Sequence, residues 1–535
     1  MSLRCPTAGM LQFNNIVRSA RVLFPSSHSS PSPSFSTVTT RANLNATMQP
    51  HAEQFLPAAT LANILTFFVA IYVLSSIRAW WRLRAFHSPL SASFSYLWVL
   101  RAATSGRMNE IIKPIVEKHG TTRIGPNELV TADPEVIRRI GSVRSPYTRS
   151  NWYALNRLIP GEDSMFSTLD VAQHDWLKAK TAPGYAGRDI PGIEGVVDSV
   201  LDELISKIRT KYANSPSETA SSPDQKPLLD LAKITLYFTL DSITKISFGR
   251  HFGFVSSDSD VYGHLTMIDE MAPAAMAASS APYIGYIATH PWVARLAMTS
   301  MQTKGVFRIL PITRSIIANR FNPSTPHTDD MLGSFIKNGL SERQCNNEAI
   351  LQVIAGSDTT ATGIRATLLY LMTNPRVYRI LQREIDDAIR VGKISTPVKN
   401  AEALELKYLQ AVIWEGLRIH PPFNGLTFKL VPPGGDTIDG KFVPGGTKIA
   451  PLVEGFTRLK GVFGEDAEAF RPERWIADGS KDGEERVAEM RKVVELIFGY
   501  GRYGCAGKML GFFTMRKVFV EVCHAATSLF LWFVS

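Results

Sequence analysis

Apolar residues recur at helical spacing through most of the chain. Steps of three and four mark helices over 198–211, 229–246, 341–373, 375–391 and 401–419. Strand-like alternation is short and sparse: 120–124, 128–131, 437–442 and 447–450. Pro-Gly-Gly turns at 433–435 and 444–446 punctuate the last two. The pattern predicts one mainly α domain with small peripheral β-sheets, running from about residue 100 to 535 without internal repeats. Residues 214–227, rich in serine and proline, read as a surface loop. The longest helix is delimited at both ends. Ser341-Glu342-Arg343-Gln344 has the form of a capping box, and Asn374-Pro375 stops the helix.

One stretch is apolar on every face. Residues 55–77 form a run of 23 without a charge, enough to span a bilayer with some tilt. Arg78, Arg82 and Arg84 follow, with Trp80 and Trp81 between them. Basic residues after a span favour keeping the following domain in the cytoplasm, and tryptophans suit the headgroup interface. This predicts a single-pass anchor, preceded by a leader over 1–54 and joined to the domain by a linker over 78–99. The first 47 residues hold four arginines, many serines and no acid, the composition of a mitochondrial targeting peptide. Met48, directly before the span, offers a second start.

Charge follows the same division. The chain carries a net +10, but residues 1–107 hold nine arginines, no lysine and one acid, a local net of +8. The folded domain is therefore nearly neutral, which excludes a nucleic-acid binder, whose excess charge would sit on the domain. The membrane is the partner that the charge indicates. The four cysteines, Cys5, Cys345, Cys505 and Cys523, match neither a disulfide framework nor a zinc site.

The chemistry concentrates in four segments. FGYGRYGCAG at 498–507 places Cys505 in a glycine-rich turn before a helix-like stretch, with Phe498 and Arg502 close by. Loop amides aimed at the sulfur would favour a thiolate, the form that binds a metal. AGSDTT at 355–360 lies inside the longest helix. Small residues at 355 and 356 would open a groove against the backbone. The Thr359 hydroxyl can bond back to the Ala355 carbonyl, and Asp358 beside it could feed protons into the groove. EGLR at 415–418 puts Glu415 and Arg418 on one helix face, and FRPERW at 470–475 could complete a buried ion network through Arg474. Taken singly, each motif also reads as ordinary structure: a buried cysteine, a solvated aspartate, a surface ion pair.

Together, in this order and spacing, the four segments resemble the cytochrome P450 family over about residues 100–520. SPYTRSNWY, FGRHFGF and KLVPPGGDTIDGKFVPGG are similar to the fungal microsomal members akin to pisatin demethylase. The resemblance implies the cytochrome P450 fold and a haem-thiolate monooxygenase, with haem b (iron protoporphyrin IX) as cofactor. It makes Cys505 the axial ligand of the iron, Thr359 and Asp358 the oxygen-side pair, and Glu415, Arg418 and Arg474 a structural lock. Trp176 and Lys180 match the tryptophan-then-basic pair near the haem propionates; Lys429 and Arg502 are further propionate candidates. The sequence contains no dinucleotide or flavin fingerprint. The resemblance thus implies electrons from NADPH–cytochrome P450 reductase at the endoplasmic reticulum membrane, with O2 and a lipophilic small molecule as substrates. The product would be hydroxylated, demethylated or epoxidised, as in fungal secondary metabolism.

Three features depart from the family pattern. Tyr503 stands where an arginine is usual, Lys180 replaces another arginine, and only 30 residues follow Cys505, which reads as a truncated C-terminus. The alternatives are a haem-thiolate isomerase or dehydratase, and a truncated inactive homologue.

Overall fold

The computed structural model describes residues 58–159, 161–213, 228–290, 292–293, 296 and 306–526. The expected leader at 1–54, the first three residues of the expected span, the loop at 214–227 and the tail at 527–535 lie outside them. The chain divides into two compact units, residues 1–78 and 79–535. Helix α1 (Ala58–Leu83) contains Ala62–Arg82, long and apolar enough to cross a membrane. Phe67, Phe68, Tyr72 and Leu74 on it are exposed.

The region expected as a linker is not one. It contains a short helix, Leu90–Phe94. Leu83 and Phe86 are buried with Val136, Ile140 and Ile449, so apolar contacts order a segment whose proline and serines suggested a tether.

The second unit is mainly helical. Its site is positioned by α2 (Val171–Tyr185), α3 (Ile193–Lys207), α4 (Leu231–Phe248), α5 (Glu342–Thr373), α6 (Pro375–Arg390), α7 (Lys407–Ile419) and α8 (Lys508–Ala526). The capping box is present on α5: Ser341 accepts the Gln344 amide, and the Gln344 side chain accepts the Ser341 amide. Asp170 and Asp230 cap α2 and α4 in the same manner, satisfying amides that a helix start leaves unpaired. The helix expected over 401–419 is two pieces, Asn400–Leu404 and α7, separated at Glu405-Leu406.

Helix α5 runs through the core and packs closely on its neighbours. A Cβ on Gly356 would come within 2.9 Å of Ile243 on α4, and one on Gly416 of α7 within 2.0 Å of Thr367 Oγ1 on α5. The glycine of EGLR is thus a point of helix contact. Helix α4 is buried on nearly all faces, and its one buried acid, Asp241, accepts the amides of Phe252, Gly253 and Val255 at 2.8–3.0 Å.

The five-stranded sheet has the order β1-β2-β7-β4-β3. Its strands are β1 (Thr122–Gly125), β2 (Glu128–Thr131), β3 (Thr148–Arg149), β4 (Lys429–Leu430) and β7 (Lys448–Pro451). Residues 437–442, expected as one strand, are instead a hairpin of β5 (Asp436–Ile438) and β6 (Lys441–Val443). Asp439 and Gly440 both have positive φ, the two-residue turn that an Asp-Gly pair favours. In the larger sheet, the register sets Arg149 of β3 opposite Lys429 of β4.

Candidate active site

The cysteine loop is built from backbone bonds. The Cys505 amide donates to the Phe498 carbonyl at 2.7 Å, closing the turn, and the Phe498 ring packs on Phe512 of α8. Gly501 has φ +61°, and a Cβ there would sit 2.4 Å from the Gly141 carbonyl oxygen; only glycine fits that approach. Lys178 of α2 pins the loop from the side, its Nζ donating to Arg502 O at 2.7 Å and Gly504 O at 3.0 Å.

Cys505 is exposed although protein surrounds it closely, the geometry of a side chain on the wall of a recess. Burial pushes its thiol above the usual range. The amides of Gly507 and Lys508 and the cations of Lys178 and Lys508 pull the other way. The amides expected to favour a thiolate are therefore present, but burial outweighs them, and a metal cation is what would hold the sulfur deprotonated.

Beside the loop stands a cluster of cations. Arg149 lies 4.5 Å from the Tyr503 ring centroid and 4.7 Å from that of Tyr153. Its Nη1 donates to Met165 O at 2.7 Å and Thr168 O at 3.2 Å, while its buried Nε has no partner. Across the strand pair, Lys429 Nζ lies 5.4 Å from the same Tyr503 ring and donates to Ile140 O at 3.1 Å. Burial, then the charge of Arg149, lowers Lys429 to a pKa of about 8. Two cations sharing one aromatic ring at low solvent access call for an anion. The buried His174, 4.7 Å from Tyr503, is driven down to about 4 by burial and stays neutral despite its contact with Asp175 at 2.9 Å.

The other sequence-derived candidates divide. Trp176 is exposed, with Lys180 Nζ 5.9 Å from its ring. Arg502 is committed elsewhere: its Nη2 donates to Val143 O at 2.8 Å and its Nε lies 3.5 Å from Asp175 Oδ2. Arg149 and Lys178 are the cations that sequence reasoning missed. Arg149 lies in a segment noted only for its overall likeness, and nothing local marked it.

On α5 the threonine behaves as its sequence suggested. Thr359 Oγ1 donates to Ala355 O at 2.7 Å, and Ala355 is exposed. Gly356 does not open the groove; it is filled by Ile243. Asp358 is half-exposed, 3.8 Å from Arg365.

Beneath these elements lies the expected ion network, now complete in its geometry. Arg418 meets Glu415 with two bonds of 2.8 Å, and Arg474 Nε donates to Glu415 Oε1 at 3.0 Å. The Trp475 indole and the Arg471 amide donate to the same carboxylate at 2.9 and 2.8 Å. All three charged side chains are fully buried. Arg474 also lies 3.3 Å from the partly exposed Asp466 carboxylate, and the two guanidiniums donate further to the carbonyls of Phe463, Thr457, Asp466, Ala467 and Ala469.

A cysteine sulfur at the head of a helix, two unneutralised cations against the Tyr503 ring of its loop and an orphaned guanidinium nitrogen fit a flat, dianionic, iron-bearing tetrapyrrole. Comparison with known proteins agrees. The family profile described as Cytochrome P450 matches residues 129–524. "Cytochrome P450 monooxygenase ABA1" of Pyricularia oryzae is 44% identical over 469 residues, 86% of this chain and 90% of that protein. "Cytochrome P450 monooxygenase aba1" of Botryotinia fuckeliana is 39% identical, over 81% of this chain and 84% of that protein. "Pisatin demethylase" of Fusarium vanettenii is 28% identical, over 88% of each. With its motifs, fold and relatives in agreement, the chain belongs to the cytochrome P450 family and is a haem-thiolate monooxygenase.

Proposed function

We propose that this enzyme is anchored by α1 in the endoplasmic reticulum membrane and oxidises a lipophilic small molecule, with electrons from NADPH–cytochrome P450 reductase. Bound haem b would supply the activation of O2 and the insertion of one oxygen atom into the substrate. The observation that carries the reading is the Cys505 sulfur on the recess wall beside the Arg149–Tyr503–Lys429 cluster. Cys505 would hold the iron through its sulfur. Arg149 and Lys429 would hold the carboxylates, with Trp176 and Lys180 of α2 as further candidates. Phe498 and Arg502 keep the loop in shape through its backbone and through Val143.

Thr359 holds a hydroxyl proton against the Ala355 carbonyl. Asp358, half-exposed beside Arg365, exchanges protons with solvent and returns them to that hydroxyl. Exposed Tyr286, Ile287 and Trp292 give the domain an apolar surface suited to a bilayer and to a substrate arriving from it. A relative named for demethylating pisatin supports a small organic substrate.

Reconstitution with reductase in lipid vesicles tests the reaction. Product formation from lipophilic candidates should require both NADPH and O2, and turnover without either would mark an isomerase or dehydratase instead.

Arg149 allows a separate test. Arg149→Leu should release haem roughly tenfold faster or more, since a hydrogen bond to a charged group is worth about 1.5–3 kcal/mol. Haem transfer to an acceptor protein measures the rate, and Arg149→Lys should recover part of the loss.

A further inference from the structure

Helix α5 carries a buried carboxyl that none of the roles above uses. Glu348, Gln352, Ala355 and Thr359 follow one another at steps of four, three and four, so they share one face of the helix. Glu348 is 1% exposed and Gln352 3%. Glu348 Oε1 accepts the Met165 amide at 2.6 Å, but Oε2 has no partner, and neither does Gln352 Nε2. Among the described residues no basic side chain pairs with Glu348. Any carbonyl could accept the Met165 amide; a carboxyl adds only a proton that can leave.

The surroundings link this carboxyl to the site. Tyr185 of α2 hydrogen-bonds Gln352 and lies within electrostatic reach of both Glu348 and Cys505. Cys345, one turn back on α5, has its thiol pushed up to about 12 by burial and then by Glu348. On the outer side, Asn347 donates to Asp163 O at 3.4 Å, and Asp163 pairs with Arg157 at 2.7 Å. Polar groups thus stand on both sides of Glu348: Asn347 and the 163–167 segment outward, and along the helix face Gln352 and then exposed Ala355, whose carbonyl accepts the Thr359 hydroxyl.

We propose that Glu348 is a proton-holding residue for the groove at Ala355 and Thr359, acting alongside Asp358. Its O–H bond breaks at Oε2 and leaves a carboxylate. Water in the groove takes that proton and carries it along the Gln352 side of α5 to Thr359 Oγ1 as that hydroxyl gives up its own, and solvent refills the carboxyl past Asn347 and Asp163. Burial, opposed by the Met165 amide, sets its pKa at about 7, so the store is full below neutrality and empties as pH rises. Glu348 acts through Thr359 and rests on the oxygenase reading above.

The test uses the haem-loaded, full-length enzyme and Glu348→Gln. In the wild type, product formed per NADPH should fall as pH rises through neutrality, to the level that Asp358 alone supports. Glu348→Gln should lose that limb while keeping its carbon-monoxide spectrum. Infrared difference spectra of the resting, haem-loaded protein should show a carboxylic-acid C=O band that disappears through neutral pH in the wild type and is missing from Glu348→Gln. Gln352→Leu should keep the band and lower product per NADPH. A limb unchanged in Glu348→Gln, or no such band in the wild type, overturns the proposal while leaving the oxygenase assignment intact. No NADPH-dependent product at all overturns that assignment, and this role with it.

Discussion

Cys505→Ser should abolish the strongly red-shifted Soret band of the reduced carbon-monoxide complex, and with it all NADPH-dependent oxidation. A thiolate donates electron density that favours O–O cleavage, and a serine hydroxyl, far less acidic, cannot replace it as an anion. The variant should still fold. The loop is closed by the Cys505 backbone amide on the Phe498 carbonyl and by Lys178 on the carbonyls of Arg502 and Gly504, none of which needs the sulfur. Because the side chain is exposed, stability should change by less than about 1 kcal/mol. The carbon-monoxide difference spectrum and a denaturation curve read the two effects separately. Retention of the red-shifted band in the serine variant would remove Cys505 as the ligand.

Glu415→Gln should have the largest effect on stability. It leaves Arg418 and Arg474, both fully buried, facing a neutral amide in place of the carboxylate they share. Breaking a buried ion pair from one side costs about 3–5 kcal/mol, a large part of the roughly 5–15 kcal/mol that holds a domain together. Expression should drop, and denaturant midpoints should shift accordingly. Replacing all three charges with apolar residues would not restore the fold fully, because Arg418 and Arg474 also tie the carbonyls of Thr457, Ala467, Ala469 and Asp466. Those carbonyls would lose their donors inside the protein. A loss below about 1 kcal/mol would show that the network is solvated rather than sealed.

Some elements could be read directly because their causes are local. The α5 capping box involves atoms three residues apart, and the Thr359 bond to Ala355 spans a single helical turn. Strand β2 over Glu128–Thr131 has the bounds expected for it, although all four of its residues are buried. Where the reading erred, a second influence intervened. The Asp439-Gly440 turn split an apparent strand into a hairpin, and packing of Leu83 and Phe86 ordered an apparent linker.

The chain alone therefore determined the kind of protein: a mainly α domain behind an apolar span, with Cys505, Thr359, Asp358 and the Glu415–Arg418–Arg474 lock in a recognisable order. Most are encoded by neighbours within a few residues, so spacing reveals them; Arg474, 59 positions from Glu415, was legible only through its own FRPERW segment. Tertiary structure decided which cations stand beside the cysteine loop and which acid lies buried on α5. Arg149 meets Lys429 only through the β3–β4 register, and both meet Tyr503 only when the cysteine loop folds against them. Glu348 can store a proton because packing removes it from water and, among the described residues, pairs it with no basic side chain. Desolvation and long-range register depend on what surrounds a side chain in space, and residues hundreds of positions apart supply those surroundings.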